Sequence, residues 1–444
     1  MFSHLPKPTL DPILSLSVAY RGDTRTDKVD LGIGVYKNDQ GETPIMKAVS
    51  MAQDIVVETQ KTKAYVGLAG CEEFNQSMVD LLLKGTSAMD RVAAIQTPGA
   101  SGALRMLGDL MKVSQPDTTV WISNPSYVNH KPVMEAAGLK VRYYNYFSPE
   151  TKQVDTARML DDLSKAGPSD VVLLHGCCHN PTGADIDFEA WQEITKLSQK
   201  NGFLPFVDIA YQGFGDGLEE DAKGLQHMAN NIEEMLITTS CSKNFGLYRE
   251  RTGAAIVIGK NSEHVGNAKG KLLTLARSTY TMPPDHGAAL VKTILQNQEL
   301  TSIWKQELSE MQQRLLNLRQ SLCDELRNTY NTSQFDFIDA GFQCAGLAPD
   351  VAIIKQAVVI GHDIVLNAPA AMVTHIGPDL HAAHGFGFQC RQFCIRRHRD
   401  CDRHYQHCPN QKSYDLLWLH AASPITSTWP SVPLTRTRVP LLSF

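Results

Sequence analysis

Short apolar runs alternate with longer amphipathic stretches through the first 340 residues or so, and this alternation predicts an α/β fold. Val120-Trp121-Ile122, Val171-Val172-Leu173-Leu174, Leu204-Pro205-Phe206-Val207, Met235-Leu236-Ile237 and Ala254-Ala255-Ile256-Val257-Ile258 are apolar at consecutive positions. Such runs have both faces covered, as in the buried strands of a mainly parallel sheet. Phe188, Trp191, Ile194 and Leu197 recur every third residue, and Gly202 follows as a stop, which predicts a helix laying one face on that sheet. A longer helix is predicted from about Leu300 to Arg327, where Trp304, Leu308, Met311, Leu315, Leu318, Leu322 and Leu326 recur at intervals of three and four. That stripe reads as core or domain-bridging surface.

The chain has 444 residues, enough for two or three domains and a sizeable core. No apolar run approaches the roughly 20 residues that span a bilayer, so no membrane association is expected. The net charge of −5 and a pI near 6.3 give no basic field for nucleic acid. Met1-Phe2-Ser3-His4-Leu5-Pro6-Lys7-Pro8 lacks a basic region followed by an apolar core, so a cytoplasmic location is expected. The 10 cysteines are scattered and two are adjacent, which suits a reducing compartment better than a disulfide framework. The charge is uneven. The last 70 residues, from His375, hold seven of the 15 His, four of the 10 Cys, seven Arg and one Lys against four Asp and no Glu. They carry +4, so the first 374 residues carry −9.

In an open parallel sheet, ligands bind at the carboxyl ends of the strands, and four segments place polar groups there. Leu204-Pro205-Phe206-Val207-Asp208 ends an apolar strand in a carboxylate, which burial would penalise unless a cation or strong donor meets it. A helix N-cap or a structural ion pair is the plainer reading of that segment alone. Ser240 and Ser242 follow the next strand, then Lys243, then Arg251 eight residues on. Hydroxyls and a guanidinium suit a phosphate, and the lysine suits an aldehyde; a solvated basic loop is the alternative. Thr97-Pro98-Gly99-Ala100-Ser101-Gly102 is a small-residue turn opening a helix, whose free N–H groups could meet a phosphate. His175-Gly176-Cys177-Cys178-His179-Asn180-Pro181 contains metal-ligand types, but this spacing does not readily converge on one tetrahedral ion. Asn180 at the tip is the better functional candidate, and no metal is expected.

Leu31-Gly32-Ile33-Gly34-Val35-Tyr36-Lys37, His179-Asn180-Pro181-Thr182-Gly183, Asp208-Ile209-Ala210-Tyr211-Gln212-Gly213-Phe214 and Ser242-Lys243-Asn244-Phe245-Gly246-Leu247-Tyr248 occur in this order. Together they resemble the aspartate and aromatic amino acid aminotransferases, fold-type I enzymes dependent on pyridoxal phosphate, over roughly residues 1–338. The resemblance implies a large domain with a mainly parallel seven-stranded sheet and a smaller α/β domain built from both chain ends. On that plan residues 1–44 form an arm and small-domain segment, 45–305 the cofactor-binding domain and 306–350 a bridging helix with part of the small domain; 351–444 is an atypical tail.

The same resemblance implies the roles. Lys243 would bond to the cofactor aldehyde and then carry the proton between substrate and cofactor. Asp208 would pair with the pyridine nitrogen, with His130 behind it, and Asn180 and Tyr211 would bond the phenolic oxygen. Ser240, Ser242 and Arg251 would hold the phosphate with the backbone of Ala100, Ser101 and Gly102. Tyr65 would reach the phosphate of the neighbouring subunit's site and counts with Lys243 among the implied catalytic residues, so a homodimer with shared sites is implied. Tyr127 falls where the family usually stacks a tryptophan on the cofactor ring. Gly34, Tyr127 and Asn180 would contact substrate, and Arg277 would cross from the other subunit to a side-chain carboxylate. The implied reaction is a ping-pong exchange of an amino group between an L-amino acid, aromatic or aspartate, and a 2-oxo acid, with 2-oxoglutarate and glutamate as one pair.

The pattern fails late. The family's second arginine, for the substrate α-carboxylate, is not found, and after Asp350 no family pattern remains. A cofactor-binding but catalytically impaired relative is therefore a second reading. Cys390, Cys394, Cys401 and Cys408, with His398, His404 and His407, invite a zinc reading, yet their gaps match no paired-knuckle pattern. The tail reads rather as sequence foreign to the family, such as an out-of-frame extension, with the zinc appendage as the alternative.

Overall fold

The apolar runs become the inner strands of one sheet in the computed structural model, which describes residues 2–5, 18–25 and 34–330. In chain order, α1 (Lys47–Thr59) and α2 (Glu72–Leu83) precede β1 (Val92–Pro98), α3 (Gly99–Ser114), β2 (Thr119–Asn124), α4 (His130–Ala136) and β3 (Lys140–Asn145). A small hairpin of β4 (Phe147–Ser148) and β5 (Gln153–Val154), then α5 (Thr156–Leu163), lead to β6 (Asp170–His175), α6 (Phe188–Asn201) and β7 (Leu204–Ile209). The chain continues through α7 (Lys223–Asn231), β8 (Met235–Ser240), β9 (Thr252–Ile258), α8 (Ser262–Thr279), α9 (Asp285–Gln296) and α10 (Gln298–Tyr330).

Seven of these strands pair in the order β1-β9-β8-β7-β6-β2-β3. The pairs from β8 through β7, β6 and β2 to β3 are parallel, while β9 runs antiparallel to both its neighbours, β1 and β8. The sheet is thus mainly parallel, as the apolar runs predict. Its seven strands and flanking helices match the implied α/β large domain. Two apolar layers cover it: Trp121, Val172, Leu174, Val207, Ile237 and Ile256 face one way. Ile122, Leu173, Phe206, Leu236 and Val257, one position along, face the other.

The predicted helix at 188–201 forms, and Gly202 ends it at φ 78°, the left-handed turn that glycine adopts without a steric penalty. Trp191 and Ile194 are buried, but Phe188, at the first position of the helix, is 44% exposed and lies edge-on to His227 of α7. The long helix also forms, as α10. Trp304, Leu308, Met311 and Leu315 are buried, and farther along the stripe Leu318 and Leu322 are only half-buried. Trp304 stacks on Phe245 with ring centroids 4.4 Å apart, and its indole N–H donates to the carbonyl of Asn244 at 2.6 Å. The helix is thereby bonded to the loop that carries Lys243. Trp304→Ala should cost about 3–5 kcal/mol of stability, the usual range for deleting a buried tryptophan, read as a lower urea midpoint with an unchanged slope.

Among the described residues no helix is long and apolar enough to cross a membrane. The atypical tail (351–444), and the part of the 306–350 segment beyond Tyr330, lie outside the described residues.

Candidate active site

Register brings the polar strand ends to one edge. Across the parallel pairs His175 stands opposite Asp208, and Asp208 opposite Thr238; across the antiparallel pair Ser240 stands opposite Gly253. Asp208 is buried and both its oxygens are used: Oδ2 accepts from His130 Nε2–H at 2.9 Å and Oδ1 from the Thr238 hydroxyl at 2.7 Å. Burial alone would raise its pKa, but the bond from His130 and the interactions around it, the Thr238 bond among them, outweigh that and hold it below the usual carboxylate value. The strong donor that the buried carboxylate demanded is therefore present, and Asp208 is an anion at neutral pH.

Behind it runs a chain of imidazoles. The backbone N–H of Asn180 donates to His175 Nδ1 at 3.2 Å, which leaves Nε2 of His175 to donate to His130 Nδ1 at 3.4 Å. The Ser126 hydroxyl reaches the same His130 nitrogen at 2.9 Å. His175 then has one acceptor and one donor nitrogen, and its contact with His130 Nδ1 helps aim His130 Nε2–H at Asp208. Burial pushes the His175 pKa down to about 3, so that ring stays neutral. His179 is also driven down by burial; it bonds Ser123 and Thr182 and stacks on Tyr146 at 3.9 Å. The two histidines of the 175–179 turn thus serve this network rather than joining the adjacent cysteines. Cys177 and Cys178 instead lie beside Asp221, their ligand-type atoms within 4.8 Å of one another and all three residues buried. Hydrogen bonding with Cys178, then burial, pushes the Cys177 thiol up.

Lys243 stands in the loop after β8, with Nζ 5.5 Å from the Tyr211 ring centre and 5.4 Å from that of Tyr248. Burial, helped by the Arg251 charge and opposed by Asp208, lowers its pKa to about 8. About a tenth of the amine is then free at pH 7, far more than for an ordinary lysine, as a nucleophile requires. Tyr248, pushed up to about 12 by burial, stays a phenol, and its oxygen accepts from the backbone N–H of Tyr36 at 3.0 Å. That bond brings the extended segment holding Gly34 to the lysine loop.

Beside the lysine lies a cup for an anion. Helix α3 begins at Gly99 without a side-chain cap, so the first N–H groups, those of Gly99, Ala100 and Ser101, have no intrahelical partner, and Gly102 makes the first turn's bond beside them. A Cβ at Gly99, where φ is 69°, would meet the Arg251 guanidinium at 2.7 Å. A Cβ at Gly253 would meet the Gly99 carbonyl carbon at 2.7 Å and the Ala100 nitrogen at 2.9 Å. Both glycines are therefore required for the guanidinium and β9 to close on the helix start. Ser240 Oγ accepts from Ser242 N–H at 3.1 Å on the neighbouring rim.

The structure thus gathers Asp208, His130, Asn180, Lys243, Tyr211, Ser240, Ser242, Arg251 and the 100–102 backbone at the carboxyl edge. Tyr127 joins them half-buried, edge-on to His130 at 5.3 Å between centroids. Tyr65, 89% exposed, and Arg277, at the exposed C-terminal end of α8, project from the surface instead. Sequence reasoning assigned no part to His175, Thr238 or Tyr248. The first two could have been found as the residues level with Asp208 on its neighbouring strands.

An open α/β sheet with a buried carboxylate, a depressed lysine and an anion cup at one edge defines the fold-type I architecture. The sequence profile of aminotransferase class I and II matches residues 26–362, reaching past Asp350, where motif reading ends. The chain is 44% identical over 338 residues to the aromatic-amino-acid aminotransferase of Paracoccus denitrificans, covering 76% of this chain and 86% of that protein. It is 43% identical over 356 residues to the aspartate aminotransferase of Salmonella typhi, covering 79% and 90%. A solved aromatic-amino-acid aminotransferase from Burkholderia pseudomallei, covalently bound to pyridoxal phosphate, superposes with a TM-score of 0.76 at 32% identity, over 81% of this chain and all of that one. The chain belongs to the class I and II aminotransferases. It is an aminotransferase by these relationships, and no observation among the described residues favours the impaired reading.

Proposed function

We propose that this chain uses pyridoxal phosphate to exchange an amino group between an L-amino acid, aspartate or aromatic, and a 2-oxo acid, with 2-oxoglutarate and glutamate as one pair. The observation that carries it is the meeting of Asp208, Lys243 and the Arg251 cup at one sheet edge, in a chain this similar to aspartate and aromatic aminotransferases.

The donor set fits the cofactor. A guanidinium, two hydroxyls and unpaired helix N–H groups suit a phosphate dianion, and the two glycines leave the cup its depth. A lysine lowered to about 8 suits an aldehyde, and a carboxylate held ionised suits a protonated ring nitrogen. When bound, pyridoxal phosphate supplies the electron sink that makes the substrate α-hydrogen acidic. Asp208, aligned by His130 and His175, keeps a proton on the facing ring nitrogen. Lys243 takes the α-proton at Nζ and returns it on the other side of the transfer. Asn180 and Tyr211 serve the phenolic oxygen, Tyr127 the ring face, and Gly34 covers the substrate.

The working unit is a homodimer. Tyr65 and Arg277 are exposed on the surface of their own subunit, which supports their service in the neighbouring site, Tyr65 at the phosphate and Arg277 at a side-chain carboxylate. Residues 45–305 are its large domain. The five described cysteines are free thiols, which supports a cytoplasmic, reducing location.

The test is a half-reaction: cofactor-loaded protein is mixed with L-glutamate, L-aspartate or L-tyrosine, and the cofactor absorbance is followed. Conversion to the amino form of the cofactor is expected, and a band that no amino acid changes would defeat the proposal. Arg277→Leu should lower kcat/KM for aspartate by about 10²-fold, the scale of a lost bidentate charge pair, and spare tyrosine. Equal losses would make Arg277 structural.

A further inference from the structure

Both segments assigned above to the neighbouring site are fastened by one buried side chain. Gln96, in the middle of β1, has none of its surface exposed. Its Oε1 accepts from the backbone N–H of Cys71 at 3.0 Å, and its Nε2–H donates to the carbonyl of Pro284 at 2.6 Å. Its own backbone N–H donates to Ala69 O at 2.9 Å. Cys71 closes the loop between α1 and α2 that carries Tyr65, and Pro284 closes the turn between α8 and α9 that follows Arg277. The other end of the Tyr65 loop is tied to the same turn, since Gln60 Nε2–H donates to Asp285 Oδ2 at 3.0 Å.

The link is tight on both sides. Gly70 has φ 77°, and a Cβ there would fall 2.5 Å from Cβ of Gln96, so the loop approaches closely only because it has glycine at that point. From Arg277 to Pro284 the chain is wound short: Tyr280 and Thr281 N–H both donate to Ala276 O, at 3.0 and 2.8 Å, and Thr281 holds φ 66°. An amide suits position 96 because it offers an acceptor to one segment and a donor to the other. Glutamate would set an acceptor against the Pro284 carbonyl, and leucine would serve neither group.

We infer that Gln96 is a positioning residue for the neighbouring subunit's active site, setting Tyr65 and Arg277 in a fixed relation so that phosphate and carboxylate contacts are made together. This rests on the shared site proposed above.

Mixed dimers of full-length, differently tagged chains decide it. One chain in each hybrid carries Lys243→Ala, leaving a single working lysine. With Gln96→Leu on the Lys243→Ala chain, the working site receives Tyr65 and Arg277 from the altered subunit, and KM for aspartate should rise about tenfold over the hybrid with Gln96 intact, as for a misplaced binding group. With Gln96→Leu on the chain that keeps Lys243, KM should match that hybrid. A defect that follows the working lysine, or is equal in both arrangements, overturns the inference. Should Gln96→Leu fail to accumulate, Gln96→Glu keeps the acceptor for Cys71, loses the donor to Pro284 and should give the same defect in trans only. Arg277→Leu placed on the Lys243→Ala chain is the control. If it raises the aspartate KM in trans and Gln96→Leu does not, only the inference about Gln96 falls. If it has no effect in trans, the shared site falls, and the inference with it.

Discussion

Lys243→Ala is expected to abolish transamination, lowering turnover by at least about 10⁴-fold, because one side chain supplies both the nucleophile and the proton carrier. The physical case lies in its surroundings. Burial and the nearby Arg251 charge bring its pKa to about 8, so the amine is reactive near neutrality without a separate base. The measurement is steady-state turnover with aspartate and 2-oxoglutarate, beside the cofactor's absorbance. The purified variant should retain cofactor through the Arg251 cup yet lack the absorbance of the covalent link. Turnover within tenfold of the parent protein would show that another group moves the proton.

Asp208→Asn should reduce turnover by about 10²–10³-fold, the range for removing one preorganised electrostatic partner. The variant keeps the volume and one acceptor: with the amide oxygen toward His130, the Thr238 hydroxyl can turn to accept from the new NH2 group, so the loss reports chiefly the missing negative charge. Its stability should also change with pH in a defined direction. Asp208 has a folded pKa below its unfolded value, so its contribution is fully present above the unfolded value of about 3.9. That contribution disappears as pH falls through the still lower folded value. The gap between the urea midpoints of parent and variant should therefore be widest near neutrality and close under strong acid. A gap that widened toward acid would mean that Asp208 is held protonated.

The strand ends that carry chemistry were legible because a charged residue closing an apolar run is conspicuous. Asp208 after Leu204–Val207 and Lys243 after Met235–Ile237 both stand where such runs place them. The run 254–258 marked a strand without its direction, since apolar residues covered on both faces look the same read either way. Strand β1 escaped notice because Val92–Pro98 mixes small, polar and apolar residues and is buried by its neighbours rather than by its own pattern. His175 and His179 sat beside two cysteines, and with a metal rejected on spacing they were left without a role. The cross-strand register shows that His175 stands level with Asp208, a relation that follows once the ends of the two neighbouring apolar runs are aligned. Gln96 left no trace in the sequence, because a single glutamine inside a strand acquires its meaning from two loops far away along the chain.

The reversed strand β9 also bears on the order in which the molecule assembles. Among the described residues strand β1 pairs with β9 alone, so Val92 meets Ile258 only after the intervening chain has folded or been held aside. Strands β2, β3, β6, β7 and β8 can associate in succession as they emerge, whereas β1 waits for the last strand of the sheet before any neighbour satisfies its edge. Closure over so long a loop is entropically costly and slow. The anion cup spans that seam, with Gly99 on one side and Arg251 and Gly253 on the other. Capture of the phosphate thus becomes possible only when the final strand of the sheet has slotted in.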